Sequence, residues 1–194
     1  MKKLLIPVLV AFCLVQGACG WCADNVPTAL ADARDRVQSD FDRIEAELKR
    51  AAARLGASGL TGDAARTVLA ELCGSLSYAV DCAAVDPAGK MVTIEPAAYR
   101  RFEGTDIGGQ EQVKRMMQGQ KPVMSDVFTS VEGFAASDAE YPVTSRDGSF
   151  LGSVSLLFRP EQFLGEIIRP LVKGIPMDIW AMETGGRILY DVDK

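Results

Sequence analysis

Apolar positions along the chain change period several times, and each change marks an element. From Pro27 to Leu55 the apolar residues Leu30, Val37, Phe41, Ile44, Leu48, Ala51 and Leu55 recur in steps of three and four, interrupted at Arg34. That spacing predicts one long amphipathic helix with a heptad-like stripe, stopped at Gly56. Thr61 stands where a cap would open a second helix over Gly62–Cys73, with Val68, Leu69 and Leu72 on its buried face and Gly74 at its end. From Tyr78 the period falls to that of strands. Tyr78–Val85 and Lys90–Glu95 flank the turn Asp86-Pro87-Ala88-Gly89, in which proline presets φ and glycine releases the chain. A helix-like segment, Gln110–Met117, and a strand, Val123–Phe128, come next. A second hairpin joins Glu140–Thr144 to Ser149–Phe158 through Ser145-Arg146-Asp147-Gly148. Pro160 opens a further helix, Glu161–Ile168, that Pro170 is expected to disturb. The last strand pair, Ile179–Tyr190, repeats the grammar of Ala83–Val92: apolar strand, acid, turn, glycine, cation, apolar strand.

The order predicts an α+β fold: a long N-terminal helix, an antiparallel sheet of about five strands with flanking helices, and a C-terminal hairpin. The organisation reads as 1–22 leader, 27–74 N-terminal helices, 75–174 ligand-binding domain, and 175–194 C-terminal hairpin. The hairpin either completes the sheet or begins a second module, in which case the chain is truncated after Lys194. A lone hairpin is marginal in water, so it is expected to pack on another element.

The leader has two lysines, Lys2 and Lys3, then a short apolar run from Leu4 to Val15, the pattern of a secretory signal. Ala18-Cys19-Gly20 fits ordinary cleavage, and Gly17-Ala18-Cys19 fits lipidation of Cys19, with Gln16 departing from the lipobox. A retained membrane anchor is the third outcome. Each places the domain outside the cytoplasm, periplasmic or at the cell surface. Cys19-Gly20-Trp21-Cys22 is a C-x-x-C, but it abuts a signal core rather than joining a strand to a helix as a redox motif would. Cys73 and Cys82 lie close in sequence within an exported domain, where a disulfide between them is expected.

Composition narrows the chemistry. Nearly half the residues are apolar, 48%, enough for a packed core. The net charge of −5 argues against a nucleic-acid partner. The chain has no histidine, which excludes Ser-His-Asp and Cys-His catalysis and His-bearing metal sites. No metal, cofactor or catalytic set is expected. Carboxylate chemistry survives, with Asp126, Glu132, Asp138 and Glu140 as the acids a glycosidase-like reaction would draw on.

The words Val85–Lys90, Tyr99–Gly104, Lys121–Asp126, Val131–Gly133, Tyr141–Val143 and Gly152–Leu157 closed by Pro160, in that order, resemble a Cache domain, a PAS-like sensor module found outside the cytoplasmic membrane. The resemblance covers Tyr78 to Lys194. It implies a small-molecule sensor of signal-transduction type, such as serves chemotaxis, rather than an enzyme. It further implies a ligand site between the sheet and a roof over Pro96–Gln120. The residues it points to are Tyr99, Arg101 and Phe102 from the roof and Ser125, Asp126, Phe128, Phe134, Asp138 and Tyr141 from the sheet side. An arginine fork there suits a carboxylate and an aspartate suits an ammonium, which fits a small organic acid or an amino-acid-like ligand. The sequence departs from the amino-acid-binding signature of such domains, since Trp180 falls too late to supply its tryptophan. The long helix is expected to support a homodimer. The competing expectation is an exported structural or partner-binding lipoprotein with no ligand.

Overall fold

A computed structural model of the chain describes residues 9–13, 20–173 and 178–191. Cys19 lies outside them. The elements in order are β1 (Leu9–Cys13), α1 (Gly20–Ser58), α2 (Gly62–Gly74), β2 (Ala79–Val85), β3 (Met91–Glu95), a 3-10 helix (Ala97–Phe102), α3 (Glu111–Gly119), β4 (Val123–Met124), β5 (Phe128–Thr129), β6 (Ala135–Thr144), β7 (Phe150–Phe158), α4 (Pro160–Val172), β8 (Asp178–Met182) and β9 (Ile188–Asp191). They form two compact units, one over Arg43–Arg159 and one made of Leu5–Asp42 with Pro160–Lys194.

In the Arg43–Arg159 unit all strand pairing is antiparallel, in the order β3-β2-β7-β6-β4 with β5 also on β6. Six strands therefore stand where about five were expected. The two hairpin turns form as their residues dictate. Gly89 N donates to Asp86 O at 2.9 Å and Gly148 N to Ser145 O at 3.0 Å, with φ of 84° and 88° at the glycines. The Asp86 carboxylate accepts from Ala88 N and Lys90 N, both at 2.9 Å.

Strand alternation splits the sheet into two faces. On one, Ala83, Val85, Met91 and Ile94 join Ile107 and Val113 in a buried cluster, and Tyr99, Phe102 and Met117 pack against it. The segment carrying the 3-10 helix and α3 thus roofs this face. Two arginines hold it down through ion pairs. Arg66 of α2 places both guanidinium arms on Glu103, at 2.8 and 3.1 Å, and Arg100 Nε donates to the buried Glu95 at 3.0 Å. Glu103 also accepts the backbone N–H of Ile94 at 3.0 Å.

Four expectations need correction. The long helix does not stop at Gly56; it runs to Ser58, and Gly59, with φ 90°, donates the terminating bond from its N–H to Leu55 O at 2.8 Å. Thr61 occupies the N-cap position of α2 in extended conformation, but its side chain makes no capping bond. The run Val123–Phe128 is two short strands, because Ser125 trades the ladder for its own pairing: its N–H donates to Asp138 O at 2.9 Å and its hydroxyl accepts Asp138 N–H at 2.8 Å. Helix α4 continues through Pro170 to Val172.

The second unit contains a three-stranded antiparallel sheet, β1-β8-β9. The C-terminal hairpin is therefore not part of the larger sheet. It packs on α4, whose Gly165 lets the Tyr190 ring approach; a Cβ there would lie 3.2 Å from that ring. Phe163, Leu164, Ile168, Ile179 and Tyr190 are buried, and the Phe163 ring lies 5.0 Å from that of Phe41. Among the described residues no helix is long and apolar enough to cross a membrane.

Candidate functional site

The roofed face of the larger sheet is unusually polar at one end. Asp81 on β2, Leu157 and Ser155 on β7, and Asp138 and Glu140 on β6 alternate onto the same side as Ala83. The register sets Asp81 opposite Leu157, and Leu157 opposite Asp138. Above them the chain from Phe128 to Gly133 turns over the sheet, with Gly133 N donating to Ser130 O at 3.1 Å and Ser130 N to Phe134 O at 3.0 Å.

Between sheet and loop lies a cleft of about 300 Å³, partly open to solvent, in which the centre of a water-sized group has about 20 Å³ to occupy. Its polar wall is Asp81, Gln110, Ser130, Glu132, Asp138 and Ser155. Its apolar wall is Ala83, Met91, Ile107, Phe128, Val131 and Leu157. No lysine or arginine lines it. Asp81 and Asp138 are each only 4% exposed, and each has a carboxyl oxygen without a hydrogen-bond partner, Oδ2 and Oδ1 respectively. The buried Ser130 hydroxyl is likewise unpartnered.

Burial without a counter-ion favours the neutral acid. Desolvation, helped by the Glu132 charge, pushes Asp81 up to about 8. Asp138 is raised by desolvation and then by Glu140, Asp81 and Glu132. Glu140 is pushed up to about 7 by burial, against the opposing hydrogen bond from Ser153 Oγ at 3.0 Å. On the other face of β2 the buried Cys82 thiol is raised by burial and by Cys73, which lies within hydrogen-bonding reach. Both cysteines are free thiols in this structure, so the bridge expected between them is not formed. Among the described residues no group of three or more Cys, Asp or Glu is arranged to hold a metal ion.

The structure brings together only some of the residues singled out from sequence. Phe128 and Asp138 line the cleft. Tyr99 and Phe102 are packed into the roof cluster, where they act as its anchors. Arg101 is exposed and lies over the Phe102 ring, 4.8 Å from its centre. Ser125 pins β6, Asp126 is exposed, and Phe134 is covered by the Arg159 guanidinium at 4.0 Å. Tyr141 faces a separate crevice with Ile44, Leu48 and Val123. The arginine fork is not at the cleft either, since Arg100 is spent on Glu95. Sequence reasoning missed Asp81. Its signal was available: Asp81, Ala83 and Val85 share the alternation of β2, and the last two are fully core.

Comparison with solved structures places the architecture. An extracellular ligand-binding receptor from Desulfohalobium retbaense matches with a TM-score of 0.82 and 36% identity, over 86% of this chain and 31% of that one. The chain thus spans about a third of that receptor's length. The ligand-binding domain of Campylobacter jejuni chemoreceptor Tlp3, in complex with L-norvaline, matches at TM-score 0.66 and 12% identity, over 92% of this chain and 75% of that one. The ligand-binding domain of the Pseudomonas aeruginosa amino-acid chemoreceptor PctC, in complex with GABA, matches at 0.60 and 16%, over 86% and 74%. A search of curated proteins finds no match. The sequence model of the HK/GC/Chemotaxis protein-like sensor domain matches residues 39–160, which hold the roofed sheet and its cleft. The chain belongs to that sensor-domain family and is of the Cache type its sequence resembles.

Proposed function

We propose that this chain is an extracytoplasmic sensor domain whose cleft binds a small amine-bearing molecule of amino-acid-like size. The observation that carries the reading is the pair of buried, unpartnered carboxyl oxygens of Asp81 and Asp138 facing one cleft. A buried acceptor left unsatisfied costs about 1–3 kcal/mol, and a ligand donor that fills it recovers that cost. Room for a water-sized group suits an ammonium head, and the apolar wall with Phe128 suits an aliphatic body. L-norvaline and GABA, held by the structurally similar chemoreceptor domains, both carry an ammonium. A plain organic acid is disfavoured, because no cation lines the wall. Export through the leader over residues 1–22, with lipidation at Cys19 or anchoring of an uncleaved leader, and pairing of two copies through α1, complete the proposal.

Thermal melting in the presence of L-norvaline, L-isoleucine, GABA, simple alkylamines and succinate tests it. A true ligand at a hundredfold excess over its Kd stabilises by about 2.7 kcal/mol. Amine-bearing compounds should raise the melting temperature and Asp138→Asn should abolish the rise. Stabilisation by succinate alone, or by none of the panel, would overturn the reading.

A further inference from the structure

The carboxyls behind the cleft form a connected set rather than isolated acids. Asp81 and Asp138 flank Leu157 on successive strands, about 10 Å apart at two strand spacings. Glu140 lies two residues along β6 from Asp138 on the same face, within hydrogen-bonding reach of it, and is held by Ser153. Glu132 looks down from the loop. Of the other groups beside the set, Ser153, Ser155 and Leu157 of β7 and Gln110 ahead of α3 are neutral, and Glu45 of α1, which lines a neighbouring crevice with Glu140, adds a further acid. Behind β2 the buried Cys82 thiol has Cys73 beside it. Several anions so close, out of water and with no basic side chain among the lining residues, repel one another and retain protons.

We infer that the cleft is a proton-for-ammonium exchange site: an alkylammonium group settling between Asp81 and Asp138 expels a proton from this carboxyl set to solvent, so ligand capture strengthens as pH rises. In balance, R–NH3+ and a protein carboxylic acid give a carboxylate–ammonium pair and a released H+. No electron moves and no further reactant is needed. The inference rests on the amine reading of the cleft and adds its regulation: acidification and ligand become antagonists at one site.

Isothermal titration of the protein with isobutylamine, at about pH 6, 7 and 8 and constant ionic strength, in buffers of different ionisation enthalpy, tests the exchange. The amine stays protonated throughout, so only the protein titrates. Release of one proton makes the binding constant rise by up to about tenfold per pH unit. The buffer dependence of the heat should count a released proton. Affinity that is flat or falls with pH, or proton uptake, would overturn the exchange. So would no binding of isobutylamine while L-norvaline binds, which leaves the sensor reading standing; no binding of either sinks both. Asp81→Asn should lower amine affinity at least tenfold and shrink the proton count. If that variant fails to fold, Glu140→Gln serves, since it touches the shared proton without lining the cleft; an unchanged proton count in it contradicts the inference. Side-chain carboxyl NMR of the ligand-free protein adds a check: complete ionisation of Asp81 and Asp138 at about pH 6 would refute it.

Discussion

The buried carboxyls make the stability of this domain depend on pH in an unusual direction. Asp81 moves from 3.8 when exposed to about 8 in the fold. A raised acid is neutral and costless below its unfolded value, and it must ionise in the core, at a cost, above its folded value. Stability is therefore fullest below about pH 4 as far as Asp81 is concerned, and is lost as pH rises toward about 8. One pKa unit corresponds to about 1.4 kcal/mol, so the shift is worth at most about 6 kcal/mol, less whatever local relaxation recovers. Urea unfolding at about pH 5.5 and 8.5 should show the native state weaker at the higher pH, and Asp81→Asn should flatten the difference. A wild-type protein equally or more stable at the higher pH would contradict the burial argument. Why Asp81 escaped sequence reasoning is physical. A single acid in Tyr78-Ala-Val-Asp-Cys-Ala-Ala-Val reads as a surface position, whereas both faces of β2 are buried from Asp81 onward. Asp138 was singled out because the Cache resemblance put its strand opposite the roof, and it lines the cleft. Tyr99 and Arg101 suggested a ligand because aromatics and arginines both bind and pack. The choice between those roles depends on the rotation of a short 3-10 helix, which no local pattern fixes.

At the scale of elements, close approaches override propensity. Gly56 sits inside α1, where alanine would ordinarily add up to about 1 kcal/mol of helix propensity. A Cβ there would lie 2.1 Å from the Thr144 carbonyl oxygen. Backbone on both sides leaves no cheap retreat, so Gly56→Ala is expected to destabilise by about 1–3 kcal/mol despite the propensity gain. A melt unchanged or raised by this substitution would show that helix and strand end separate freely. The sequence marks Gly56 as a stop because its partner lies far along the chain; Gly59, three residues on, does the stopping. The roof obeys the same logic through charge. Arg66 serves both Glu103 and the buried Glu95. Arg66→Ala would leave both acids short of donors, for a loss of about 1–3 kcal/mol. Increased proteolysis within Pro96–Gln120 should accompany it, and Arg66→Lys, lacking the planar fork, should rescue only in part. Full rescue by lysine would mean the pair acts as a point charge alone. The two hairpins were legible because glycine and aspartate determine their turns locally, whereas the break at Ser125 depends on a cross-strand bond to Asp138 that alternation cannot show.

For the whole molecule, the division into Arg43–Arg159 and the unit built from both ends of the chain has a thermodynamic consequence. The first unit closes a six-stranded sheet between α-helical and roof layers, with β6 and β7 paired along nearly their full length. In the second, the C-terminal hairpin β8–β9 ends in a four-residue edge strand, and the unit draws its elements from distant stretches of sequence. Short edge strands and small sheets open at lower free energy than paired central strands. Amide exchange followed by mass spectrometry should therefore give peptides from Phe163–Val172 and Ile179–Tyr190 a lower opening free energy than peptides from Asp81–Val85 and Val154–Leu157. A ligand in the cleft should slow exchange most in the second pair of peptides, since Asp81 and Leu157 line it. If all four peptides exchange at one common rate set by global unfolding, the two units unfold as a single cooperative body. In that case occupancy of the cleft is felt by every strand of the protein, and a sensor built on it has no softer element in which to register its ligand.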